Sequence, residues 1–401
     1  METVRGAGHD VRGTGGRPWK EEREGSCAAH GAFSLEENID VASFAGRRGA
    51  SWRGALHRVG RGQVLMSVWE ATGRANSNLA FIKYWGNADN SWRLPLSGSI
   101  SMTLGGLFTE THLAFSDTFE VDAASINGHP AGEGELARIS SYLDFIRAVA
   151  GIRFSARIVS INNFPSRVGV GSSASAFAAI AVAADAALDL GLSERELSSL
   201  ARVGSGSAAR SIPGGFVEWH QGTSHDTSFA ETIAPADHWA LTDVIAIVSQ
   251  DPKRVGSSEG HLTSGTSVLQ AARVRTASDR LARCREALEH KDFCSLAEVS
   301  ELDSNILHSV MMTSVPPLIY WLPSTIAVMQ DVIKWRSEGI EVFYSVDAGA
   351  NVHCVCGPGY GDEIATRLER KKYVVAVATA HLGGPAMVTS SKHSTAARFT
   401  K

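Results

Sequence analysis

The sequence predicts an α+β protein of two lobes with a cleft between them, and three observations carry that prediction. Strand-like and helix-like hydrophobic patterns alternate along most of the chain. A glycine- and serine-rich loop, Pro165-Ser-Arg-Val-Gly-Val-Gly-Ser-Ser-Ala174, opens directly into a long run of small apolar residues. The 401 residues are 44% hydrophobic and 20% charged, enough apolar material for two ordinary globular cores.

Residues 1–65 stand apart. Gly, Arg and Ser are frequent there, as in Arg12-Gly-Thr-Gly-Gly-Arg17, and hydrophobic periodicity is weak. Such a segment does not offset its own ordering entropy. It reads as a flexible extension or, the favoured reading, as sequence upstream of a start at Met66. The first lobe is expected over 66–250. Leu79–Ile82 and Ile100–Leu104 read as strands, and Ile126-Asn-Gly-His129 as a hairpin turn. Ile139, Leu143, Ile146 and Val149 recur at helical spacing within 136–149, and 154–161 alternates like a strand. A helix is expected over 174–190, closed by Gly191, with Ser193-Glu-Arg-Glu196 as the capping box of the next. The second lobe is expected over 251–390, with a transition from about Leu241. It holds a buried strand at 244–248, a long two-faced helix over 268–288, and a helix through Ile326, Met329, Val332 and Trp335. Strands at 342–346 and 352–355 flank an Asp-Ala-Gly-Ala-Asn turn, 374–379 can close the sheet, and 391–401 reads as a tail.

Charge and cysteine usage narrow the function classes. A net charge of −4 with no long basic stripe argues against nucleic acid as a main partner. The five cysteines are odd in number and scattered, as expected of reduced thiols in a cytoplasmic protein. Cys354-Val-Cys356 has the wrong spacing for a zinc site and reads as strand. No apolar run is long enough for a membrane span, and no secretory signal pattern opens the chain.

Four short stretches carry chemistry. Gly169 and Gly171 let a backbone approach a ligand, and Ser172 and Ser173 follow at the start of a helix, where free N–H groups and the helix dipole attract anions. No Gly-Lys-Ser/Thr ends this loop, so it is not a Walker A motif. Asp347, on a turn between strands, can take a proton from an alcohol or merely cap its own turn. Arg210, closing Gly206-Ser-Ala-Ala-Arg, offers a planar fork to a carboxylate, unless it is only a surface arginine after a serine turn. The fourth stretch is Ile82-Lys83-Tyr84-Trp85-Gly86-Asn87.

In this order and spacing the stretches resemble the mevalonate diphosphate decarboxylase family of the GHMP small-molecule kinases, from about Met66 to Gly384. The resemblance implies an N-terminal lobe like ribosomal protein S5 domain 2, a ferredoxin-like C-terminal lobe, a homodimer, and ATP with Mg²⁺ acting on a phosphorylated mevalonate. It makes Gly169, Gly171, Ser172 and Ser173 the triphosphate loop, with Ser173 also near Mg²⁺. It makes Asp347 the base, Arg210 the carboxylate's partner and Lys83 a third catalytic group. Tyr84, Ser205, Ser207, Asn78, Asn87 and Arg138 become substrate contacts, Arg138 through the substrate's phosphate. Some positions depart from the family pattern. Asn87 replaces a second lysine, Ser97 and Gly98 replace Asn-Ser, Ala209 replaces Cys, and Val346 and Ala350 replace Phe and Pro. Losing the lysine's charge points to a substrate with fewer phosphates, 5-phosphomevalonate, and to isopentenyl phosphate as product. The alternatives are a diphosphomevalonate decarboxylase, a mevalonate 3-kinase and a non-catalytic metabolite sensor.

Overall fold

The computed structural model describes residues 63–164, 171–251 and 253–399. Residues 1–62 and Gly169, about which the sequence raised expectations, lie outside them. The first lobe contains β1 (Gln63–Ile82), the ribbon β2 (Asn87–Asp89) and β3 (Leu94–Pro95), then β4 (Ser99–Ser116), β5 (Ala123–Ile126) and β6 (His129–Pro130). Next come α1 (Glu133–Ala150), β7 (Ser155–Asn162), α2 (Ser172–Leu188), α3 (Glu194–Gly204), a 3₁₀ turn at Gly206–Ser211, β8 (Phe216–Trp219) and β9 (Ala230–Ala234). The second lobe runs β10 (Thr242–Ile247), α4 (Ser257–Thr263), α5 (Gln270–Arg275), α6 (Ala277–His290) and α7 (Phe293–Met312). It closes with α8 (Pro323–Ser337), β11 (Val342–Ser345), β12 (Val352–Cys356), α9 (Gly361–Glu369) and β13 (Ala376–Leu382), and β14 (Met387–Phe399) returns to pair with β1.

Twelve strands form one mixed sheet with β4 at its hub. This 18-residue strand pairs antiparallel with β1 along most of its length, with β7 over 109–116, with β8 over 99–102 and briefly with β13. Every residue of β10 is buried, as befits a strand covered on both faces. Its side chains alternate accordingly. Ile245 and Ile247 join Phe81, Met102, Leu296 and Phe343 in one core, and Val244 and Ala246 join Val328, Val332 and Ile364 in another.

Several expectations hold. Asn127 and Gly128 both take positive φ (52° and 80°), the twist a two-residue hairpin turn requires. The Ser193–Glu196 capping box forms, and Cys354 and Cys356 are buried in β12. β10 pairs on one side with β12 and on the other with β13. Other expectations are corrected. β1 begins at Gln63, and residues 391–399, read as a tail, are strand β14 paired along β1. That pairing joins the two ends of the described chain, and no local pattern announces it. The helix expected over 268–288 breaks at Thr276. Its hydroxyl donates to the Ala272 carbonyl and accepts from Arg280, so the side chain competes with the backbone ladder. The 20-residue α7 escaped the sequence because Ser300, Asp303, Ser304 and His308 interrupt its apolar stripe, yet all four are buried. Among the described residues no helix is long and apolar enough to cross a membrane.

Candidate active site

A cleft of about 840 Å³ collects Lys83, Tyr84, Arg138, Ser173, Arg210 and Asp347, which the sequence scatters over 265 positions. Lys83 leaves β1 with its peptide clamped. Its N–H donates to Asp303 at 2.6 Å and its carbonyl accepts from Arg273, while Arg280 Nε holds the other Asp303 oxygen at 2.6 Å. This buried set of two arginines and an aspartate fixes where the lysine starts. The side chain, itself buried, ends 2.6 Å from Asp347 Oδ1. Burial pushes the Asp347 carboxyl up, but the charges of Lys83, His353 and Arg210 outweigh it and hold the group below the usual carboxylate range. Asp347 is therefore ionised at neutral pH, with one oxygen on Lys83.

Arg210 ends the 3₁₀ turn after α3. Nη1 donates to Ser99 Oγ at 2.7 Å and Nη2 to Asn78 Oδ1 at 3.1 Å, while Nε is buried without a partner. Asn78 in turn donates to Ser211 Oγ at 2.7 Å and to the Ser207 carbonyl. Through these bonds it holds Arg210 against the turn at 207–211. Burial lowers the Arg210 pKa to about 10 while the Asp347 charge supports the cation. A buried guanidinium with no carboxylate on it is costly until an anion arrives.

The first turn of α2 forms the facing wall. Gly171 takes φ 70°, and a Cβ there would stand 2.6 Å from Ser77 Oγ, so the chain enters the helix by a path glycine suits best. Ser172 and Ser173 open this helix on the cleft wall, where a helix N-terminus favours anions, and Ser173 Oγ lies 3.0 Å from Ser205 Oγ. Ser207 lines the same wall. Among the described residues no three His, Cys, Asp or Glu side chains gather to hold a metal ion. Magnesium, which keeps several waters and needs few protein ligands beside phosphate oxygens, suits such a lining.

Tyr84 stacks on His261 (4.1 Å between centroids), meets Trp219 edge-on and lies against Gly206, where a Cβ would come within 2.5 Å of its ring. Its hydroxyl donates to Asn87 Oδ1, and burial pushes its pKa up to about 12. The Asn87 amide also donates to Asn90 at 3.0 Å, so Asn87 is satisfied within its own ribbon and does not line the cleft. His261 accepts the Gly86 N–H at 2.9 Å and is neutral, its pKa pushed down to about 3 by burial and then by three arginines. Arg138 donates to the Gly204 carbonyl at 3.0 Å and stacks over Phe177 at 4.6 Å.

The sequence reading missed Arg93, Lys253 and His261, all on the cleft wall, and Asp303 and Arg273 behind it. Nothing local marks Arg93 or Lys253. The crowding of polar residues in α7 was the one available sign of Asp303.

The chain matches two domain families in succession: the diphosphomevalonate decarboxylase-like N-terminal domain over 75–230 and the mevalonate 5-diphosphate decarboxylase C-terminal domain over 243–381. It is 37% identical over 309 residues to the diphosphomevalonate decarboxylase of Aspergillus fumigatus, covering 71% of this chain and 76% of that one. It is 34% identical over 286 residues to the phosphomevalonate decarboxylase of Haloferax volcanii, covering 71% and 87%. A solved structure described as MDDEF in complex with MVAPP, AMPPCP and magnesium superposes with a TM-score of 0.76 at 34% identity, covering 80% of this chain and 99% of that one. The cleft and these likenesses point the same way, and the chain belongs to the mevalonate diphosphate decarboxylase family, ATP-dependent carboxy-lyases built on the GHMP kinase fold.

Proposed function

We propose that this protein decarboxylates 5-phosphomevalonate with ATP, giving isopentenyl phosphate, ADP, phosphate and CO₂. The observation that carries the reaction class is the facing of three features across one cleft: the Lys83–Asp347 pair, the carboxylate-free guanidinium of Arg210, and the N-terminus of α2. ATP phosphates are assigned to Ser172, Ser173 and the α2 N–H groups. Magnesium would be held by those phosphates with Ser173 beside it, and would neutralise charge on the transferring group.

The tertiary 3-hydroxyl is a poor leaving group and must first be phosphorylated. Its oxygen bonds to the γ-phosphorus as the bond to the β-phosphate oxygen breaks, and ADP departs. Asp347, already ionised, accepts the hydroxyl's hydrogen bond and takes its proton late. A loose phosphoryl transition state asks little of the base, so a low carboxylate pKa is tolerable. The C3–O bond then breaks and phosphate leaves with the electron pair. The C1–C2 bonding pair becomes the C2–C3 double bond, and CO₂ departs from its place against Arg210. Lys83 holds Asp347 and offsets negative charge nearby.

The monophosphate is preferred on this reading because Asn87, where the family carries a lysine, is neutral and engaged by Tyr84 and Asn90. The diphosphate has support of its own in Arg93 and Lys253, which bring further cations to the cleft. One ATP-coupled assay with mevalonate, 5-phosphomevalonate and 5-diphosphomevalonate separates these. Highest kcat/KM for the monophosphate supports the proposal, a wide preference for the diphosphate replaces its substrate, and nucleotide binding without turnover of any of the three defeats it. A cytoplasmic homodimer belongs to the same reading, and light scattering checks the assembly.

A further inference from the structure

We infer that Arg93 grips the substrate's 5-phosphate jointly with Arg138, and so sets specificity for the phosphorylated substrate. The inference rests on the decarboxylase reading above and adds to it a residue that neither motif nor resemblance indicated.

The two arginines are anchored on consecutive peptides. Arg93 Nε donates to the Val203 carbonyl at 2.9 Å, and Arg138 Nη2 donates to the Gly204 carbonyl at 3.0 Å. These are the last carbonyls of α3, the negative end of its dipole, which attracts cations. Both guanidinium groups thus stand side by side on one helix end, and both line the cleft. The terminal nitrogens of Arg93 make no hydrogen bond among the described residues, and Arg138 Nε is buried without one. Glu135, one helical turn before Arg138, turns a carboxylate oxygen to the Gly132 N–H at 3.2 Å. Two adjacent cations with spare donors form a receptor for a dianion, and each planar fork can present two N–H groups to phosphate oxygens.

The backbone supports the same assignment. Arg93 takes φ 48°, a left-handed conformation that favours glycine and is uncommon for a long side chain. It closes the ribbon β2–β3, in the turn just before Leu94, which carries its side chain toward the end of α3. The charge of Arg93 is felt there by Tyr84, His261 and Arg138 alike.

The test is Arg93→Gly, which suits the left-handed backbone and should fold. Expected are a KM increase of about tenfold to a hundredfold for both 5-phosphorylated substrates, the range for lost charge-assisted hydrogen bonds, with kcat changed little. Affinities for ATP and for unphosphorylated mevalonate, by calorimetry, should stay put. Arg93→Lys should show a smaller defect than Arg93→Gly. A KM change under about twofold, or an equal loss for mevalonate, overturns the assignment. Should Arg93→Gly fail to fold, Arg93→Gln read by the same KM-against-kcat split decides. If the wild type prefers the diphosphate, the monophosphate reading falls while Arg93 is still tested, because both esters carry the phosphate on C5.

Discussion

Asp347 and Arg210 divide the work of the cleft by their partners. Asp347 is tied to one cation, Lys83, through a single oxygen, and its other oxygen remains for a substrate hydroxyl. Replacing it with Asn keeps the shape and removes the proton acceptor. Turnover in Asp347→Asn should fall at least about 100-fold, the low end for a general base, while nucleotide affinity measured by calorimetry stays within error. Near-normal turnover would remove Asp347 from the reaction. Arg210 is fastened at both Nη atoms by Ser99 and Asn78, which fixes the plane of its fork. Arg210→Lys keeps the charge and loses that plane, so kcat should drop sharply with ATP affinity unchanged. Loss of ATP affinity with normal substrate handling would put Arg210 in the nucleotide site instead.

Helix α2 brings the anion-binding end of the cleft to the sheet because its residues are small. Ala178, Ala179, Ala181, Ala183 and Ala184 are fully buried, so the helix lies close on β1 and β4. Gly73 in β1 makes the closest approach possible, since a Cβ there would stand 2.3 Å from the Ala179 carbonyl oxygen. Gly73→Ala should therefore lift the helix and destabilise the protein by about 1–3 kcal/mol, the usual cost of overpacking. Urea denaturation measures this directly, and a change below about 0.5 kcal/mol would show that helix and strand part without strain. Because Ser172 and Ser173 sit on the same helix, KM for ATP should rise in the variant as well.

Across the whole molecule, one core runs from β1 to β12, and among the described residues burial disfavours the charged form of three histidines. His225 and His261 are pushed down to about 3 and His308 to about 4, in each case first by burial. Unfolded histidine titrates near 6.5, so below that pH the unfolded chain takes up protons the folded one refuses. Stability is thus fully present above about pH 6.5 and is lost as pH falls toward 4 and then 3, each histidine adding up to about 1.4 kcal/mol per pH unit. Melting temperatures measured between pH 7.5 and 5 should decline steadily, and less steeply in His308→Gln. A flat profile would mean that these imidazoles gain protons without unfolding.

The sequence alone determined what depends on neighbours along the chain. Hairpin and capping signals at 126–129 and 193–196 are local, and so are the glycine–serine entry to α2 and the turn carrying Asp347. Periodicity located most strands and helices for the same reason. Tertiary structure decided everything that depends on residues distant in the chain. Asp303 clamps Lys83 across 220 positions, Asn78 accepts from Arg210 across 132, and Arg93 and Arg138 both donate to the last carbonyls of α3. α7 was illegible because its buried polar side chains serve distant partners, which erases the apolar period that marks a helix. The pairing of β14 with β1 was hidden too, since hydrogen bonds between strands depend on who lies alongside and leave no mark in either strand's own pattern.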